Sequence, residues 1–185
     1  MKIIYIITKV ITYPGAFLKG FWEHIICRML GIKITDNNYL AFDYHGGHVK
    51  HEPAHTAAKA FLLAFLPYLL QRIFGWIFLL AGSPILLFGL RSPSESYLFW
   101  LYAVALFFGL SLLCNSFAQW EDALHQWQMF YGKDDAYSPQ RAGRLARVLL
   151  WPCNVWLLVG AWLERTGIAT IVLFGGAVAA VALYY

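Results

Sequence analysis

The chain has 185 residues, 60% of them apolar by type, 18% aromatic and only 13% charged, with a mean hydropathy of +0.56. A soluble domain carries about 25% charged residues, so a soluble globular enzyme, a disordered tail and a coiled coil are excluded. Four stretches of about 17 or more mostly apolar residues make this an integral membrane protein with several spans. The net charge of +4 does not point to nucleic acid, because the cations sit at the ends of apolar runs, where they orient a chain in a bilayer. Cys27, Cys114 and Cys153 lie inside apolar segments without CxxC spacing, which suits packing rather than a disulfide frame or a zinc knuckle.

The first element is expected over residues 3–31. Lys2 and the run Ile3 to Ile7 look signal-like, but Thr12-Tyr13-Pro14-Gly15 stands where a cleavage site needs small residues, so the segment is read as a retained helix with a Pro-Gly interruption. Gly31 is a suitable C-cap. The second half carries Lys19, Glu23, His24 and Arg28, which must face protein, a water-filled cavity or headgroups. Lys19 and Glu23 are four residues apart and are expected to pair within the helix. Asn115, Glu121 and Asp122 are expected to meet that pair at similar depth. The polar cluster expected, Lys19, Glu23, His24, Asn115 and Asp122, suits fastening helices together, or alternatively moving protons or binding a metal.

Residues 32–53 are polar, with turn signals at Asn37-Asn38 and Gly46-Gly47 and a strand-like run Tyr39 to Phe42, which suits a small hairpin at the membrane surface. His45, His48, His51 and His55 crowd it, with Asp43 and Glu52 nearby; the spacings occur in metal sites, but also in loops whose imidazoles bond backbone and water. Residues 54–90 are too long for one straight span. A kink near Pro67 leading into a span over 68–90 is one reading; a re-entrant hairpin turning near Gln71-Arg72 is the other. Residues 97–118 form a clean span, 119–131 an aromatic-rich amphipathic helix in the interface, and 145–162 and 168–185 two further spans with Glu164 to Gly167 as the turn. Lys133, Arg141, Arg144 and Arg147 place the 133–147 loop in the cytoplasm, and alternation puts the 32–53 segment on the same side. The fold class expected is therefore all-α and polytopic, with four main transmembrane helices, a broken or re-entrant segment, a small surface β-hairpin and an interfacial helix.

Several motifs, taken in order, resemble those of site-2-protease-like membrane zinc metallopeptidases. Tyr13-Pro14-Gly15-Ala16-Phe17-Leu18-Lys19-Gly20-Phe21-Trp22-Glu23 is similar to that family's Tyr-Pro-Gly-x-x-x-His-Glu-x-x-His helix, and Leu30-Gly31-Ile32-Lys33-Ile34 to the run that follows it. Gly47-His48-Val49-Lys50-His51-Glu52-Pro53 resembles its Gly-Tyr-Val-x-His segment. Ala60 to Pro67 resembles its apolar run into a proline, and Ser111 to Phe117 with Asp122-Ala123 its late Ser-x-x-x-His-Ala-Phe-Pro-Ser-x-x-Asp-Ala stretch. The likeness covers residues 10–130 or so.

The departures fall where the chemistry would be. Lys19 stands at the first zinc-binding histidine, Gly20 at the general-base glutamate, Glu23 at the second histidine and Asn115 at the late histidine, while Asp122 keeps its type. A lysine repels Zn²⁺ and a glycine accepts no proton, so the resemblance implies a pseudoprotease with no catalytic residue and no cofactor. The expectation is a non-catalytic subunit or adaptor of a bacterial cytoplasmic (inner) membrane, in contact with lipid and other membrane protein subunits. One alternative is a divergent metallopeptidase holding zinc with His24, His48, His51 and Asp122. A small transporter using Arg72 and the Lys19–Glu23 pair is another.

Overall fold

A computed structural model describes residues 2–36, 49–85, 96–132 and 141–184, of which 82% are helical. The chain begins with α1 (Lys2–Ile11) and α2 (Tyr13–Leu30), separated at Thr12, so the expected Pro-Gly interruption is a one-residue break. Pro14 sits in the first turn of α2, where a missing N–H costs nothing. The helix stops at Gly31, whose φ of 65° lets its own amide bond Arg28 O while Ile32 N reaches back to Cys27 O.

The surface hairpin is present as β1 (Ile34–Asp36) antiparallel to β2 (Lys50–His51), with Ile34 opposite His51 and Asp36 opposite Lys50. The turn signals at 37–38 and 46–47, the run 39–42, His45 and His48 lie outside the described residues.

Helix α3 (Ala57–Gly82) starts at Thr56, whose hydroxyl accepts from Lys59 N at 3.2 Å, and runs 26 residues without a break. That is about 39 Å. The re-entrant hairpin at Gln71-Arg72 is therefore corrected, as is the span's start at Tyr68. Pro67 is absorbed inside the helix, where it removes only one ladder bond. The helix stops at Gly82, with Pro84 just beyond, and Leu86 to Leu90 of the expected span lie outside the described residues.

Helix α4 (Ser96–Cys114) packs along α3 as the most extensive helix pair among the described residues. Two glycines allow this approach: a Cβ on Gly82 would run into the Leu106 backbone, and one on Gly109 would meet Leu79 N at 2.5 Å. The span expected to reach Ala118 ends four residues early, and Asn115 to Gln119 are non-helical before α5 (Trp120–Tyr131).

The expected interfacial helix 119–131 exists as α5, but it is packed into the protein. Ala123, Gln126, Met129 and Phe130 are buried against α3 and the C-terminal helices, while Trp120, Trp127 and Tyr131 are half-buried. The expected span 145–162 is two helices, α6 (Arg144–Leu149) and α7 (Trp151–Thr166), parted at Leu150 with Pro152 in the first turn of the second. Glu164 to Thr166 belong to α7, so the turn is Gly167 alone, at φ 77°, before α8 (Ile168–Tyr184).

Among the described residues two helices, Ala57–Gly82 and Tyr97–Cys114, are long and apolar enough to cross a membrane. The α7–α8 pair, bent by 74°, adds a third if it counts as one span. The expected count of four exceeds this. At 16 residues α7 is about 24 Å long, short of the roughly 30 Å hydrocarbon core.

Candidate functional site

The break between α1 and α2 frees backbone groups inside an apolar bundle, where each needs a partner. Side chains of α3 and α4, with Asn115 just beyond the end of α4, supply them. Ser111 Oγ donates to Thr12 O at 2.9 Å and accepts from Gly15 N at 2.8 Å. Asn115 Nδ2 donates to Thr12 O at 3.1 Å and to Ser111 O at 2.9 Å. Gln71 Nε2 donates to Gly15 O at 2.7 Å. These bonds require near contact of backbones, and Gly15 provides it: a Cβ there would collide with the Ser111 carbonyl.

Beside this break lies a buried ionic cluster. Lys9 Nζ is 2.7 Å and Lys19 Nζ 2.9 Å from the same oxygen, Glu164 Oε1, and Lys9 also donates to Asn115 Oδ1 at 2.6 Å. The second carboxylate oxygen, Oε2, accepts from Phe117 N at 2.9 Å. Lys9, Lys19 and Glu164 are 8%, 3% and 6% exposed, so the charges are held by one another rather than by water. Two cations share one anion.

Lys19 therefore pairs across the fold, not with Glu23. The two do share the buried face of α2, as their spacing requires, but Glu23 Oε2 accepts from Val49 N at 3.3 Å, on the strand side of the helix. Asn115 joins the lysine cluster as expected, whereas Asp122 lies elsewhere, with Oδ1 3.5 Å from His51 Nε2. His51 is oriented by its own ring Nδ1, 2.9 Å from Glu52 O. Burial opposes a charge on this imidazole, but the hydrogen bond and charge of Asp122, with the Glu52 carbonyl and Glu23, outweigh it and raise the pKa to about 9. At neutral pH His51 is an imidazolium with both N–H groups donating.

The zinc alternative required His24, His48, His51 and Asp122 together. The structure joins His51 to Asp122, but puts His24 on a surface pocket of about 380 Å³ with Arg28 and Asp36, and His48 lies outside the described residues. His55 is exposed. Among the described residues no three His, Cys, Asp or Glu side chains gather as a metal site needs.

A second polar chain ties α5 to α7. Gln126 Nε2 donates to Asn154 Oδ1 at 2.6 Å, Asn154 Nδ2 to the Tyr131 hydroxyl at 3.1 Å, and that hydroxyl to Arg147 O at 2.8 Å. Lys9, Thr12, Gln71, Ser111, Gln126, Asn154 and Glu164 are buried polar positions of these two networks that sequence reasoning did not place there. Lys9, Thr12, Gln71, Ser111 and Asn154 carried a signal, as polar residues set in or at the edge of apolar runs, whereas Gln126 and Glu164 stand among other polar residues. No family model, no curated protein and no solved structure matches the chain.

Proposed function

We propose that this protein is a non-catalytic membrane subunit or adaptor of a bacterial inner membrane, built on a scaffold resembling the site-2-protease-like metallopeptidases and holding a partner membrane protein. One observation carries the reading. The side chain at the position of the family's first zinc-binding histidine, Lys19, is committed to an ion pair with Glu164. A protonated lysine repels a divalent cation, and withdrawing it from Glu164 would leave a buried ammonium without its counter-charge.

The neighbouring positions support the same reading. Glu23, at the second histidine position, accepts a backbone amide, and Asp122 is engaged by a histidine that carries its own charge at neutral pH. Gly20 offers no base. What remains to such a scaffold is contact, and large aromatic side chains stand on its exterior: Trp76, Trp100, Trp151, Trp156 and Trp162 are each about half exposed or more. Trp and Tyr side chains give wide contact area for little entropy, against protein or lipid alike.

The test has two arms on protein purified from its native membrane in mild detergent. Elemental analysis is expected to find well under one zinc per chain; a stoichiometric zinc would overturn the non-catalytic reading. Native mass spectrometry is expected to find a second membrane protein at fixed stoichiometry, and a chain that runs alone would overturn the adaptor reading.

A further inference from the structure

Among the described residues no carboxylate pairs with Arg72. It sits on α3, which runs from Ala57 to Gly82, within about 4 Å of the helix midpoint along the axis. Its guanidinium carbon lies 5.4 Å from the Tyr68 ring centroid and 5.0 Å from that of Phe117. Its Nε is buried and without a hydrogen-bond partner among the described residues. Lys9, Lys19 and Glu164 satisfy one another close by, through the same residue Phe117, whose amide bonds Glu164. Among the described residues nothing comparable answers Arg72.

The surroundings form a built platform. Tyr68 and Phe117 lie tilted by 32° with 5.1 Å between centroids, Phe117 meets Trp156 edge to face at 5.8 Å, and Trp156 Nε1 donates to the Tyr68 hydroxyl at 2.8 Å. Trp156 is 52% exposed, and Leu69, Ile73 and Trp76, flanking Arg72 on α3, are exposed as well. The cation thus rests on rings at the edge of an apolar exterior. Cation–π contacts offset part of the cost of a charge in hydrocarbon, but they leave its hydrogen-bonding capacity unused.

We propose that Arg72 is the docking point for a carboxylate carried at mid-depth on a membrane helix of a partner protein. This rests on the reading that the chain holds a partner, and it names the chemistry of the contact. Charge complementarity selects the occupant. A lipid phosphate lies at the edge of the core, about 15 Å from its centre. A free arginine would extend toward that edge. Here the side chain runs back over Tyr68, whose own position is within about 2 Å of the α3 midpoint along the axis, and the rings of Tyr68 and Phe117 hold it there. An acidic residue on a neighbouring helix meets it at that depth, and the planar guanidinium suits a bidentate carboxylate.

The experiment uses purified full-length protein in phosphatidylcholine vesicles and two synthetic leucine-rich transmembrane peptides, identical except for a central Glu or Gln. Association is read by energy transfer from a labelled peptide. The Glu peptide is expected to bind at least about tenfold more tightly than the Gln peptide. Arg72→Gln should erase that preference and Arg72→Lys retain part of it, with thermal unfolding in detergent confirming that both variants fold. Equal binding of the two peptides to the wild-type protein overturns the proposal without recourse to any variant. So does a preference for phosphatidylglycerol in place of the Glu peptide, lost in Arg72→Gln, which would identify a lipid headgroup site instead. Should Arg72→Gln keep its native partner at full stoichiometry, the adaptor reading stands and the docking point falls.

Discussion

The amide of Phe117 donates to Glu164 Oε2 at 2.9 Å, joining the irregular segment after α4 to the last turn of α7. That bond explains why a helix can stop inside an apolar bundle. Residues 115–119 leave the helical ladder, and an open N–H there costs several kcal/mol in hydrocarbon. Glu164 answers it with one oxygen while the other neutralises two lysines. The same carboxylate thus closes a backbone defect and a charge defect.

Because two lysines share one carboxylate, the three charges are not equivalent. Glu164→Leu leaves two buried ammoniums and an open amide, and is expected to cost about 3–5 kcal/mol. Lys19→Met leaves Lys9 on the carboxylate and should cost less than half of that. The triple variant with Lys9→Met, Lys19→Met and Glu164→Leu should recover part of the loss. Thermal unfolding in mild detergent reads the order, and a Lys19→Met variant less stable than Glu164→Leu would refute this account.

Gly15→Ala tests the fastening of the first break. The new methyl meets the Ser111 carbonyl, a backbone atom that cannot swing aside. A loss of about 1–3 kcal/mol or more is expected, with Ala16→Gly on the next residue as a milder control. Wild-type stability in Gly15→Ala would mean that α2 and α4 do not cross there.

His51 makes stability depend on alkaline pH. Its folded pKa of about 9 lies above the unfolded value of 6.5, so the protonated imidazole stabilises the fold fully below pH 6.5. That contribution fades as pH rises through 9. Melting temperatures should therefore fall between pH 6.5 and 9.5, and Asp122→Asn should flatten that slope by removing the charge that holds the proton. An unchanged slope in Asp122→Asn would assign the effect to another group.

The basic loop gives a topological test. Single cysteines at Arg141 or Arg144, in a variant lacking the three natural cysteines, should resist membrane-impermeant thiol reagents in intact cells and react after permeabilisation. Labelling from outside would reverse the orientation of the whole chain.

The membrane class, the break near Pro14, the Gly31 cap and the surface hairpin were legible because each is written locally, in a run, a ring or a turn residue. The gathering of Lys19 and Asn115 near one place was legible too, since buried polar residues must find each other. Their link was not. Local spacing favoured Glu23 for Lys19, while the true partner lies 145 residues away in what reads as a surface turn. Glu164 looked like a turn residue because Gly167 follows it; the helix in fact runs on to Thr166. The face of α5 was misjudged for a similar reason. Its tryptophans suggested an interface, but Gln126 is buried because Asn154 waits on another helix to receive it.

The reach of the ionic cluster also sets an order of assembly. Lys9 and Glu164 are 155 residues apart, an interval of roughly 8–30 s at about 5–20 residues synthesised per second. For that time the first two helices carry their ammoniums without the carboxylate that will neutralise them. The nascent chain must park them at the membrane surface or against the insertion machinery until α7 arrives. A chain that ends before residue 164 therefore has two ammoniums on its first two helices and lacks the carboxylate that neutralises both in the finished fold.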